Sequence, residues 1–167
     1  LSVTGKNSIS LKDVLVGEVW ICSGQSNMEF TVNKALNATE EMKQADFPMI
    51  RQFFVERDLS SVPKSDVKSG RWDSCNKETV GHFTAVGYYF AKKLYASLKI
   101  PVGLIHTSWG GTCAETWTSR EGLQSSSEFK DLMADLPAVD LDSIAKSRLI
   151  YITNHIESIQ GSKINTA

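Results

Sequence analysis

The sequence predicts an α/β fold built on a parallel sheet, and three observations carry that prediction. Residues 19–22 and 102–107 are short, largely apolar runs, the pattern of strands buried on both faces of a parallel sheet. Between them, Val86, Tyr89, Phe90, Leu94 and Leu98 recur at three- and four-residue spacing, with Lys92, Lys93 and Lys99 elsewhere on the wheel. That is an amphipathic helix, and Pro101 stops it. Each strand-like run ends in a turn of small and polar residues, 23–27 and 108–112. With the strand predicted at residues 49–56, this helix and the strand at 102–107 form a βαβ unit, which favours a right-handed parallel sheet.

The remaining elements follow in order. The opening alternates polar and apolar residues and then turns apolar, so residues 14–16 and 19–22 read as strand material broken by Gly17. Beyond Ser26 the pattern is mixed, with polar residues gathering toward a helix whose start the sequence does not fix. Residues 49–56, MIRQFFVE, are β-rich and bounded by Pro48 and Asp58, and predict a second core strand. Residues 57–83 are polar with scattered Pro, Gly and Ser, and predict a long loop or a set of short irregular pieces. Loops of that length in a compact domain are usually functional or mobile. In the tail, Leu141, Ile144, Ala145, Leu149, Ile152 and Ile156 fall at helical spacing, and the end is polar.

Composition narrows the function classes. The 167 residues suit one domain with a substantial core. A formal net charge of -1 gives no electrostatic reason for binding nucleic acid or an anionic membrane. No apolar run approaches the ~18 residues of a spanning helix. Cys22, Cys75 and Cys113 are far apart, and no His, Cys, Asp and Glu cluster has ligand spacing, so no metal and no cofactor are expected. Cys22, in its apolar run, reads as a core residue. Asn37-Ala38-Thr39 is a glycosylation sequon.

Ligands of open parallel sheets gather at the carboxyl ends of the strands, which is where both turns lie. A serine at such a turn has an exposed hydroxyl on a rigid support, and a following helix aims backbone N–H groups at any oxyanion formed there. Ser26 therefore reads as a nucleophile. It reads equally as an N-cap, for which Ser is favoured, and the spacing alone leaves both open. The G-x-S-x-G elbow of α/β-hydrolases is absent.

The residues around the serine add a resemblance. VLVGEVWICSGQSNMEFTV closely resembles the nucleophile block of sialate O-acetylesterases, which belong to the SGNH-type hydrolases. FTAVGYYFAKKLYASLKIPVGLIHTSWGGTCAETW resembles the family's following block, in the right order. The resemblance covers roughly residues 11–120. It implies a three-layer α/β/α sandwich of flavodoxin-like type with Ser26 as nucleophile. An acetyl ester on a sugar would be its substrate, attacked through an acyl-enzyme. It also implies oxyanion donors at the Ser26 N–H and near Ala85. Gln25 and Asn27 would support the turn, Gly110, Gly111 and Thr112 would form the pocket floor, and Glu115 and Trp117 its wall. Trp117 reads either as a sugar-stacking ring or as a core residue.

A serine hydroxyl needs a base, usually a histidine oriented by an acid. The family places these in a D-x-x-H-type block, with a further oxyanion residue in a W-Y-Q-G-E block, and neither motif occurs here. His82 reads as a loop residue, His106 as a structural strand position and His155 as a surface position. The chain therefore resembles the front part of a catalytic domain, incomplete by itself. Residues 1–17 would form the join from a preceding β-rich domain and 18–167 the front of the esterase domain, with the triad His and Asp supplied by a complementary segment or chain. The alternatives are a catalytically inactive carbohydrate-binding remnant and a structural domain in which Ser26 merely caps a helix. Sugar-ester chemistry and the sequon lean toward a secreted, periplasmic or lysosomal setting.

Overall fold

The computed structural model describes residues 1–60, 63–135 and 141–164. They fall into two compact units, one of residues 1–58 with 66–119, the other of residues 59–65 with those from 120 onward.

The first unit opens with a hairpin of β1 (Ser2–Thr4) antiparallel to β2 (Ser8–Ser10). Residues 14–16, expected as strand, belong to none. Asp13 takes a left-handed φ of 54° and accepts hydrogen bonds from Arg51 at its carbonyl and carboxylate, which turns the chain before Val14 can pair. The main sheet contains β3 (Glu18–Cys22), β4 (Asp46–Val55), β5 (Gly70–Asn76) and β6 (Val102–His106), in the spatial order β3-β6-β4-β5. β3, β6 and β4 are parallel, while β5 runs antiparallel to β4. The fold is α/β as expected, with a mixed sheet. Pro48 lies inside β4 where the register shifts between Phe47 and Arg51, and such a bulge tolerates a residue with no N–H to donate.

β5 corrects the reading of residues 57–83 as loop. Its sequence GRWDSCN has weak β propensity, and pairing along most of β4 supplies what propensity does not. α1 (Ser26–Glu29) and α2 (Ala38–Gln44) are short helices in the stretch where one helix was expected.

α3 (Ala85–Leu98) follows β5 and leads into β6, so the passage from β4 to its parallel neighbour β6 runs through the antiparallel β5 as well as the expected helix. Thr84 caps it, its Oγ1 accepting from the Gly87 N–H at 3.4 Å. Its buried face differs from the expected one. Ala85, Gly87, Tyr88 and Ala91 are buried, whereas Val86, Tyr89, Phe90 and Leu98 are exposed. Small residues let the helix axis approach the sheet, and a Cβ on Gly87 would meet Thr84 Cγ2 at 2.6 Å and Cys22 Sγ at 2.9 Å. Beneath α3 the core is built from Ile50, Val102, Leu104, Tyr88, Phe83 and Val80.

β3 also departs from expectation. It is an edge strand, and alternation sends Trp20 and Cys22 toward α3, Val19 and Ile21 to the other face. There, among the described residues, Val19 is 58% and Ile21 70% exposed. The reading of this run as buried on both faces fails because β3 is an edge strand on which Val19 and Ile21 stay exposed.

The second unit is helical, with α4 (Arg120–Gln124), α5 (Lys130–Asp135) and α6 (Leu141–Ile164). The tail helix is present, and Ile144, Leu149, Ile152 and Ile156 on it are exposed. His155 is a surface residue there, as expected. No helix among the described residues is long and apolar enough to cross a membrane.

Candidate active site

Loops following the carboxyl ends of three parallel strands converge at Ser26, in keeping with where open α/β sheets bind ligands. Gly24, with φ 126°, turns the chain out of β3, and Gly111, with φ 80°, does the same after β6. L side chains are strained in that region, which is why both turns carry glycine. The ladder between β3 and β6 extends into the turns, Thr107 N–H donating to Cys22 O at 3.1 Å and Trp109 N–H to Gly24 O at 2.9 Å. The second turn is thereby held beside the first.

Ser26 is the first residue of α1, and Gln25 holds the N-cap position without a side-chain cap hydrogen bond. The capping role open to Ser26 is thus not the one it has. Its hydroxyl is exposed, and no hydrogen bond reaches it among the described residues. α1 is a single turn, so its dipole is small, but the Ser26 N–H at its start has no intrahelical acceptor.

Glu29, one turn after Ser26, shares its face of the helix. Its carboxylate accepts from the Gly110 N–H and pairs with Arg57. Gly110 has no room for a side chain, since a Cβ would stand 2.5 Å from Glu29 Oε2 and 3.3 Å from Ser26 Oγ. Arg57, from the loop after β4, also lies over the Trp109 ring at 5.3 Å. The hydrogen bond from Gly110, aided by the Arg57 charge and opposed by burial, holds the Glu29 carboxyl below its ordinary value. Glu29 thus joins the loops after β3, β4 and β6. Neither Glu29 nor Arg57 was singled out from the sequence, although the three-residue spacing of Ser26 and Glu29 was a usable signal for the first.

The cleft at Ser26 measures about 370 Å³, and Glu29, Thr31, Lys34, Phe54, Arg57 and both His82 and His106 line it. His106 is buried, as a structural strand position should be, with Nε2 2.5 Å from Ser108 Oγ. Its Nδ1 has no partner among the described residues. Burial lowers its pKa, with the Glu29 charge acting upward and the Arg57 charge downward. His82, expected in a loop, is exposed in a 3-10 turn on the cleft wall.

The other sequence-derived site residues are placed as follows. Asn27 is exposed on α1, and Gln25 O accepts from the Met28 and Glu29 N–H groups at 3.0 Å each. Ala85 is buried at the start of α3, its N–H donating to Phe30 O at 2.8 Å. Thr112 Oγ1 donates to Trp109 O at 2.7 Å and accepts from Trp117 Nε1 at 2.8 Å. Trp117 is 41% exposed, and it and Glu115 share a 3-10 turn outside the lining of the Ser26 cleft. Cys22 is buried below the turn, as its apolar run implied, and burial raises its pKa, the state of an unreactive thiol.

A model of the family described as carbohydrate esterase, sialic acid-specific acetylesterase, matches residues 16–145. The sialate O-acetylesterase of Mus musculus is 36% identical over 129 residues, covering 71% of this chain and 23% of its own length. The Homo sapiens sialate O-acetylesterase is 37% identical over 129 residues, covering 71% and 24%. This chain therefore spans about a quarter of the curated relatives it matches. Among solved structures, a carbohydrate acetylesterase from Xanthomonas citri aligns with TM-score 0.69 and 34% identity, over 74% of this chain and 28% of that one. With the Ser26 turn, the Gly110 turn and the strands that hold them all inside the matched region, the chain belongs to the sialic acid-specific carbohydrate acetylesterase family.

Proposed function

We propose that this chain carries the nucleophile half of a serine esterase that removes O-acetyl groups from sialic acid or a related acetylated sugar. The observation that supports this most is the exposed, unpartnered Ser26 hydroxyl at the carboxyl end of β3, facing a turn that has no side chain at Gly110. Ser26 Oγ attacks the acetyl carbonyl carbon as its proton passes to a base. The Ser26 N–H stabilises the tetrahedral oxyanion. Collapse expels the sugar hydroxyl, which takes back the proton, and water then cleaves the acyl-enzyme to release acetate. The base and its orienting acid come from residues outside this chain. His106 Nε2 is committed to Ser108, which leaves no described histidine hydrogen-bonded to Ser26.

The same observation supports a second reading, an inactive carbohydrate-binding remnant whose serine is never activated. Acetate release separates the two. The 167-residue chain should hydrolyse an activated acetyl ester weakly or not at all. A form that includes W-Y-Q-G-E-like and D-x-x-H-like segments should turn over O-acetylated sialic acid, and Ser26→Ala should lower that rate by at least about 10³-fold. Robust turnover by the 167-residue chain would overturn the external base and point to His82. Absence of turnover with both segments present would favour the remnant.

A further inference from the structure

His106 lies where three parts of the site meet. The register of the sheet sets it between Cys22 of β3 and Phe54 of β4. Ser26 follows the first along the chain, Arg57 follows the second, and β6 itself runs on into the turn that holds Gly110. We propose that His106 is a positioning residue for attack by Ser26, clamping Ser108 and, through it, the turn at residues 108–112. This role rests on the esterase reading and adds to it a residue that acts on the Ser26 site through another segment.

The imidazole makes one hydrogen bond among the described residues, between Nε2 and Ser108 Oγ at 2.5 Å. Its Nδ1 is buried with no partner there. A position filled for packing alone would carry an apolar side chain, which leaves no polar atom unpaired. What the ring supplies in return for that cost is its bond to Ser108. The ring is itself well held, 2% exposed and edge-on to Phe54 at 5.5 Å. Ser108 is the buried residue of its turn, so the bond is shielded from competing water.

The turn has little else to fix it against the sheet. Gly110 and Gly111 have no side chains to pack. On the Ser26 side the turn is tied by backbone donors, Trp109 N–H to Gly24 O at 2.9 Å and Gly110 N–H to the Glu29 carboxylate. Ser108, one residue earlier, is tied by its side chain to the end of β6. A Cβ on Gly110 would stand 3.3 Å from Ser26 Oγ. A shift of the turn by about 1 Å therefore alters the space in which the acetyl group must sit, and displacements of that size slow reactions strongly.

The test reads the turn directly in the 167-residue chain. The Gly110 N–H holds the Glu29 carboxyl below its ordinary value, so release of the turn should raise the Glu29 titration midpoint. It should also speed exchange of the Gly110 amide proton about tenfold. Both are followed by NMR in Ser108→Ala, His106→Leu and His106→Gln. Ser108→Ala keeps the imidazole and should show both changes. His106→Leu and His106→Gln remove the ring's charge alike, but the Gln amide reaches the place of Nε2, so His106→Gln should show markedly smaller changes than His106→Leu. In a form that also carries the base, Ser108→Ala should lower kcat by about 10²-fold with little change in KM. Wild-type Glu29 titration and Gly110 exchange in Ser108→Ala overturn the clamp, whatever the esterase assay gives, and this mild variant decides the matter even if His106→Leu fails to fold. His106→Gln as perturbed as His106→Leu also overturns it. Altered NMR readouts with no turnover by the unmutated complete form support the clamp and count against the esterase reading alone.

Discussion

Glu29 is the side chain on which the geometry of the site depends most. Its pair with Arg57 is half exposed and so adds little stability, but its hydrogen bond from Gly110 fixes the turn that faces Ser26. Glu29→Gln should therefore cost at most about 1 kcal/mol near neutral pH. In an active form of the esterase it should lower kcat by about 10²-fold, since small displacements near the reacting atoms have that effect. The stability difference has a pH signature. The folded-state pKa of Glu29 is lowered, so its contribution is complete above the unfolded value of about 4.3. It is lost as pH falls through the lower folded value. Melting temperatures of wild type and Glu29→Gln should accordingly differ at neutral pH and converge in acid. A difference that persists unchanged in acid, or a variant with wild-type kcat, would refute this role.

α3 shows how an element can be foreseen while its packing is not. Its limits follow from the apolar spacing, the Thr84 cap and Pro101, yet the sheet meets the small residues Ala85, Gly87 and Ala91 rather than the larger apolar ones. Gly87→Ala tests that arrangement. At an exposed helical position the change would stabilise by up to ~1 kcal/mol. Here the added methyl meets Thr84 and Cys22, and overpacking should destabilise by ~1–3 kcal/mol. Chemical denaturation reads the sign directly, and a more stable variant would rule out the close approach of α3 to β3. β5 makes a related point, because a strand of low propensity forms where β4 offers it a partner along most of its length.

Taken whole, the described sheet ends on an open edge, with Val19 and Ile21 uncovered on β3. Exposed apolar edge strands invite pairing with other chains. The isolated chain should self-associate with rising concentration, and Ile21→Lys should shift it toward monomer in sedimentation experiments. A monodisperse wild-type monomer at high concentration would contradict this. The sequence by itself determined the α/β class, the order of β3, α3 and β6, and the small-residue turn that carries Ser26, because periodicity, breakers and turn residues act over a few neighbouring positions. Only the tertiary structure decided that Glu29, Arg57 and Gly110 meet beside Ser26, that Phe54, His82 and His106 line its cleft, and which face of α3 is buried. Those outcomes depend on segments distant along the chain arriving at one end of the sheet, and local sequence carries no record of which distant side chain will be there.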